Sequence, residues 1–252
     1  MEGTIKTKIE GKTGLITFFH PASNSFPSHL LLQLEQEINK LADNKKLTLI
    51  ALQSEGNKAF CAGASFDELL SITNKEDGKK FFSGFANVIN ALRKAPQITV
   101  AKVQGKAVGG GVGLLAACDY VIATEVAAIK LSEIAIGIGP FVIEPAVSKK
   151  IGTNAMGTLT LNPTNWQTAN WAKEKGLYQE VYTTLDEANE AFNSYINKTS
   201  LYNPLALAEI KKIIWGNCEN WDSLLSERAA ISGELILSDF TKNALDAFRK
   251  KD

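Results

Sequence analysis

The sequence predicts an α/β fold with parallel crossovers, and three observations carry that prediction. Residues 47–53, 98–103 and 120–124 are short apolar runs of strand length, continuous rather than alternating, as strands buried on both faces are. Segments with helical spacing separate them, in the order strand, helix, strand, helix. From Asn165 onward the β signal fades and helices dominate.

Element by element, residues 4–10 and 13–19 alternate about Gly11 and read as a β-hairpin. Residues 28–41 set Leu30, Leu31, Leu34, Ile38 and Leu41 at helical spacing behind a Ser28 cap. The strand at 47–53 closes on the turn cluster Ser54-Glu55-Gly56-Asn57. A short helix starts over 66–70; a longer one, 79–94, carries Phe82, Phe85, Ile89 and Leu92 on one face. The strand 98–103 runs into a glycine-rich stretch, 105–113; then 111–118 is helix-like, and 120–124 and 128–131 are strands. Residues 166–175 form an amphipathic helix ended by Gly176, 177–181 a strand, and 185–198 a helix stopping before Asn203-Pro204. Three helical segments follow, at 205–215, 221–237 and 240–251. The organisation is an α/β core over 1–200 and a helical region over 201–252.

A chain of 252 residues with 45% hydrophobic and 21% charged residues can bury a substantial core. Its 27 basic and 27 acidic residues cancel, so no global attraction to nucleic acid or an anionic membrane is built in. Cys61, Cys118 and Cys218 are odd in number and far apart, the pattern of buried thiols in a reducing compartment. No signal peptide and no apolar run of membrane-spanning length is evident, so the expected residence is cytoplasmic. Only His20 and His29 exist, in no metal-binding pattern and both ahead of every candidate serine, which argues against a zinc site and a serine hydrolase.

Two glycine-bracketed segments carry the chemistry: Lys58-Ala59-Phe60-Cys61-Ala62-Gly63-Ala64, and Ala101 through Leu114 with Gly105, Gly109, Gly110, Gly111 and Gly113. Small residues let a backbone N–H approach a ligand without Cβ interference, and glycines opening a helix add its positive dipole end. Two such N–H groups converging on one oxygen make an oxyanion hole. The same glycines also suit plain packing or a phosphate loop. A dinucleotide fingerprint starting at Gly109 fails, however, because position 114 is Leu.

These segments, with Gly105 through Asp119 and Leu131-Ser132-Glu133 followed by Gly137 and Pro140, resemble the crotonase superfamily, the enoyl-CoA hydratase/isomerase group. Asn24-Ser25, Ala169 with Ala172 and Gly176-Leu177, Asn203-Pro204-Leu205-Ala206 and Ala247-Phe248 match in the expected order. The resemblance implies a crotonase-like spiral of ββα repeats, with C-terminal helices that pack trimers or hexamers. It implies an acyl-CoA substrate, with coenzyme A entering as part of the thioester and no separate cofactor or metal. The oxyanion donors fall on the N–H groups of Ala64 and Gly110. Ala62, Gly109 and Phe141 lie along the substrate, and Lys251 meets CoA phosphates of an adjacent subunit.

Family hydratases use two glutamates twenty positions apart. The second is Glu133; the position of the first holds Gly113. A lone carboxylate suits moving a proton along the acyl chain, so Δ3→Δ2 enoyl-CoA isomerisation is expected ahead of hydration or decarboxylation, with a non-catalytic CoA-binding role as the competing class. The bulky Pro140-Phe141-Val142-Ile143 run points the same way, since apolar walls crowd out water and raise a carboxylate's pKa. Glu144 is either a replacement carboxylate or a solvent-facing residue at a helix start.

Overall fold

The computed structural model describes residues 3–249. The hairpin forms as expected: β1 (Thr4–Glu10) and β2 (Thr13–Phe19) pair antiparallel, Thr4 opposite Phe19, around Gly11 at φ +57°. β2 then pairs in parallel with β3 (Leu49–Ser54), followed by β4 (Ile98–Val103), β6 (Tyr120–Thr124) and β8 (Glu180–Tyr182). A second, two-stranded parallel sheet joins β5 (Ala107–Val108) to β7 (Ile129–Lys130), and Cys61 bridges to Ala107 at its edge.

Alternation along β3 shows how the main sheet is covered. Ile50 and Leu52 enter the large core with α1 (Ser28–Ala42) and α3 (Lys75–Lys94), whereas Ala51 joins Val100 and Ile122 beneath α7 (Leu185–Thr199). Burial on both faces is why these strands are apolar throughout. α2 (Phe66–Ser71), α4 (Gly110–Ala117), α5 (Glu144–Leu161) and α6 (Ala169–Glu174) fill the loops between strands. The α5 run is interrupted at Gly152, whose φ is +78°.

Several boundaries differ from expectation for identifiable reasons. Ser28 does not cap α1; Pro27 holds that position, and the Ser28 N–H donates to Glu68 Oε2 at 2.7 Å. α3 begins earlier, at Lys75, because the Asn74 side chain accepts from the Asp77 N–H. The helix expected from 166 starts only at Ala169: Gln167 pairs with Ile129 through two 2.9 Å backbone bonds, and Thr168 caps the helix. The strand expected at 177–181 shifts to β8 because the Leu177 N–H closes the end of α6 on Ala172.

After residue 200 come α8 (Pro204–Ile214), α9 (Trp221–Leu235) and α10 (Asp239–Arg249). α9 lies along α3 so closely that a Cβ on Gly78 would sit 2.7 Å from Gly233 Cα. α8 is anchored by a charge. Lys211 is 3% exposed and donates to the carbonyls of Leu92 and Gln97, with Asp119 Oδ2 at 3.0 Å. Asp119 also accepts from the Thr99 N–H and hydroxyl and from Trp215 Nε1, while Lys150 donates to its backbone carbonyl. All three cysteines are free and buried, and burial pushes the Cys61 and Cys118 thiols up to about 12. No helix among the described residues is long and apolar enough to cross a membrane.

Candidate active site

The segment after Phe60 is fastened to β5 before it reaches the site. The Val108 N–H donates to the Cys61 carbonyl at 2.9 Å, and the Gly63 N–H donates to Cys61 Sγ at 3.3 Å. Gly63, at φ +88°, then turns the chain so tightly that a Cβ there would lie 2.9 Å from the Val108 carbonyl oxygen and 3.5 Å from the Gly110 nitrogen. Only glycine meets both demands. The Ala64 segment and the start of α4 are thereby held together.

Gly109 makes the second turn. At φ +52° it ends β5 and begins α4, its N–H donating to the Lys130 carbonyl and its carbonyl accepting from Val112 and Gly113. The N–H groups of Ala64 and Gly110 find no hydrogen-bond acceptor among the described residues. Such N–H pairs, the second at a helix N-terminus, are suited to an oxygen that gains negative charge.

Glu133 enters from the opposite strand of the small sheet, in a 3₁₀ turn (Glu133–Ile136) just beyond β7. A Cβ at Gly109 would lie 2.7 Å from Glu133 Oε1, so the carboxyl rests directly on the glycine backbone. The residue as a whole is half-buried, but Oε2 is shut off from solvent and has no hydrogen-bond partner. Burial raises the carboxyl to about 7 against the pull of the Glu133 and Ser132 backbone N–H groups.

Ala62, Ala64, Gly109, Gly110, Glu133 and Phe141 all line one cavity of about 190 Å³. Its other walls are largely apolar, from Phe66, Leu69, Phe82, Phe85, Ile138 and Val142. Among the described residues Glu133 is the one titratable side chain lining it. Lys251 lies outside the described residues. Glu144 is not in the cavity wall: it heads α5, accepts from Ser148 at 2.7 Å and faces Arg228 at 3.7 Å. The replacement-carboxylate reading is therefore corrected; of the other reading the helix start holds, but Glu144 is half-buried against Ser148 and Arg228 rather than solvent-facing. His20 and His29 stay clear of the cavity as well.

The position of the absent first carboxylate is physically closed. Gly113 is buried, and a Cβ on it would overlap Ile143 Cγ2; Ile143 itself lines the cavity. Ser232 of α9, 1% exposed and donating to the Arg228 carbonyl, is a cavity residue that sequence reasoning missed. The neighbouring Ser232-Gly233 pair of small residues was the visible signal, but its partner Gly78 is identifiable only in three dimensions.

Comparison with known proteins accords with this geometry. The family model described as enoyl-CoA hydratase/isomerase matches residues 8–249. The short-chain-enoyl-CoA hydratase of Clostridium acetobutylicum is 27% identical over 245 residues, covering 96% of this chain and 93% of that one. The ethylmalonyl-CoA decarboxylase of Danio rerio is 31% identical over 133 residues, 52% of this chain and 44% of that one. The crystal structure of an enoyl-CoA hydratase from Bacillus halodurans superposes with a TM-score of 0.89 at 24% identity, covering 96% and 99% of the two chains. By its fold, and by a family match spanning nearly its whole length, the chain belongs to the enoyl-CoA hydratase/isomerase family of the crotonase superfamily.

Proposed function

We propose that the protein is an acyl-CoA enzyme that stabilises a thioester enolate and, with Glu133 as its single acid–base group, moves a double bond from the 3- to the 2-position. The observation that carries this reading is the lone carboxyl, raised to about 7, in an apolar cavity whose second-carboxylate position is filled by Ile143. The Ala64 and Gly110 N–H groups receive the thioester oxygen. Glu133 takes a proton from the α carbon, the electrons pass onto that oxygen, and collapse of the enolate with reprotonation at the γ carbon leaves a 2-enoyl thioester. A group with a pKa near the working pH both takes and returns the proton efficiently. Hydration needs a water held and deprotonated as well, and no second carboxylate lines the cavity among the described residues.

Coenzyme A enters as part of the substrate, and the reaction as written uses no other cofactor. Assembly as a trimer or hexamer through the region after residue 200, and cytoplasmic residence, belong to the same proposal. Turnover of matched 3-enoyl-, 2-enoyl- and 3-hydroxyacyl-CoA thioesters tests it. The expected result is conversion of the 3-enoyl thioester with little hydration. Efficient hydration with the 3-enoyl thioester untouched overturns the isomerase reading, and no turnover of any thioester leaves a CoA-binding protein.

A further inference from the structure

We propose that an open groove between α7 and the main sheet binds a small organic anion, its acid group at Lys102 and its neutral chain along the asparagines of α7. The groove, of about 860 Å³, shares no lining residue with the reaction cavity. Strand alternation builds its floor. Ala51 and Val100 pair in register within the small core under α7, so Gln53 and Lys102, two residues further along each strand, face the same way. Leu15, opposite Ala51, packs on that core, which puts Thr13 on this face as well. Gln53, Lys102 and Thr13 all line the groove.

Charge sets where the acid group goes. Lys102 Nζ donates to Asn189 Oδ1 at 2.7 Å and lies 5.5 Å from the centre of the Phe192 ring. Both partners are neutral, and no carboxylate comes within ion-pair range among the described residues. Burial holds the Lys102 ammonium below the usual lysine range. A half-buried cation with neutral partners gains from an oxyanion, whose charge-assisted hydrogen bonds replace the lost solvation. Glu10, the one carboxylate lining the groove among the described residues, is already paired with Lys8 at 2.6 Å, and the exposed Lys12 adds a second positive charge to the wall. Asn189, Asn193 and Asn197 all line the groove, spaced four apart in a row about 12 Å long down α7. The side-chain amides of Asn193 and Asn197 have no partner among the described residues, and Thr13 sets an unpartnered hydroxyl in the same wall. Hydroxyl groups along a ligand chain match such a row of amides.

Calorimetric titration with matched sugar derivatives tests the groove: gluconate carries a carboxylate, sorbitol 6-phosphate a phosphate, and sorbitol no charge. The unaltered chain is expected to bind at least one of the anions, and sorbitol about tenfold more weakly or worse, the scale of one charge-assisted hydrogen bond. Which anion binds tells carboxylate from phosphate recognition. Asn189→Asp keeps the shape of the side chain and puts a carboxylate where the amide oxygen meets Lys102, so the chain supplies its own anion. That variant, and Lys102→Met, should each weaken anion binding by about tenfold or more. Acyl-CoA turnover should be unchanged in both, since the groove stands apart from the reaction cavity. Anion affinity left intact by Asn189→Asp, sorbitol binding as tightly as the anions, or no binding of either anion at about 10 mM overturns the proposal.

Discussion

Because burial holds its carboxyl up to about 7, Glu133 makes the folded chain less stable when ionised than when protonated. Between the ordinary 4.5 and about 7 the unfolded chain has lost this proton while the folded chain keeps it, so stability falls as pH rises through that window. The penalty, absent below 4.5, is complete above about 7 and amounts to roughly 3 kcal/mol. Glu133→Gln is therefore expected to melt above the unaltered protein at pH 8, with most of the gap gone at pH 5; thermal unfolding at the two pH values checks it. The same variant should lose about 10²–10⁴-fold in isomerase rate with little change in substrate affinity. In the unaltered enzyme kcat/KM should climb with pH and level off above about 7, as the base form fills. Gly63, Gly109, Gly110 and Glu133 were legible because their chemistry dictates residue type and spacing. The environment of Glu144 was not legible, since Ser148 and Arg228 reach it from other turns and another helix.

Among the elements, the contact of α4 with α5 decides whether a second carboxylate can be added. Gly113→Glu alone is expected to destabilise by about 1–3 kcal/mol, because its side chain must displace Ile143. Combined with Ile143→Ala, it should recover stability and gain hydration of 2-enoyl-CoA; denaturant midpoints and a hydration assay read the two effects. The attachment of α8 is tested by Lys211→Met, which leaves Asp119 buried without its cation at a cost of about 3–5 kcal/mol. Adding Asp119→Asn should recover part of that loss. Strands β1, β2, β4 and β6 were legible to the residue, β1 and β2 because they alternate about the Gly11 turn, β4 and β6 because short apolar runs bounded by turns have little freedom in length. The starts of α3 and α6 were not, for they depend on the Asn74 and Thr168 caps and on Gln167 pairing with a strand far away in sequence.

At the scale of the whole molecule, α8 is built inside out. It buries Lys211, whereas Leu205 is 76% and Ile213 80% exposed, with Ile210 of the same helix and Leu201 just before it exposed as well. Periodicity alone marks this helix as amphipathic; which side faces the core follows from Asp119, a partner no local pattern reveals. Large exposed apolar surface of this kind marks an association face. Light scattering on the eluted protein should show an oligomer at micromolar concentration, and Leu205→Asp with Ile213→Asp should shift it towards monomer. A stable monomer of the unaltered chain counts decisively against the assembly. The inverted helix also makes heat resistance a property of the solution rather than of the single chain. If copies cover one another's leucines, dilution removes part of what holds each together, so the melting midpoint climbs with the logarithm of protein concentration. In the aspartate variant that slope should flatten.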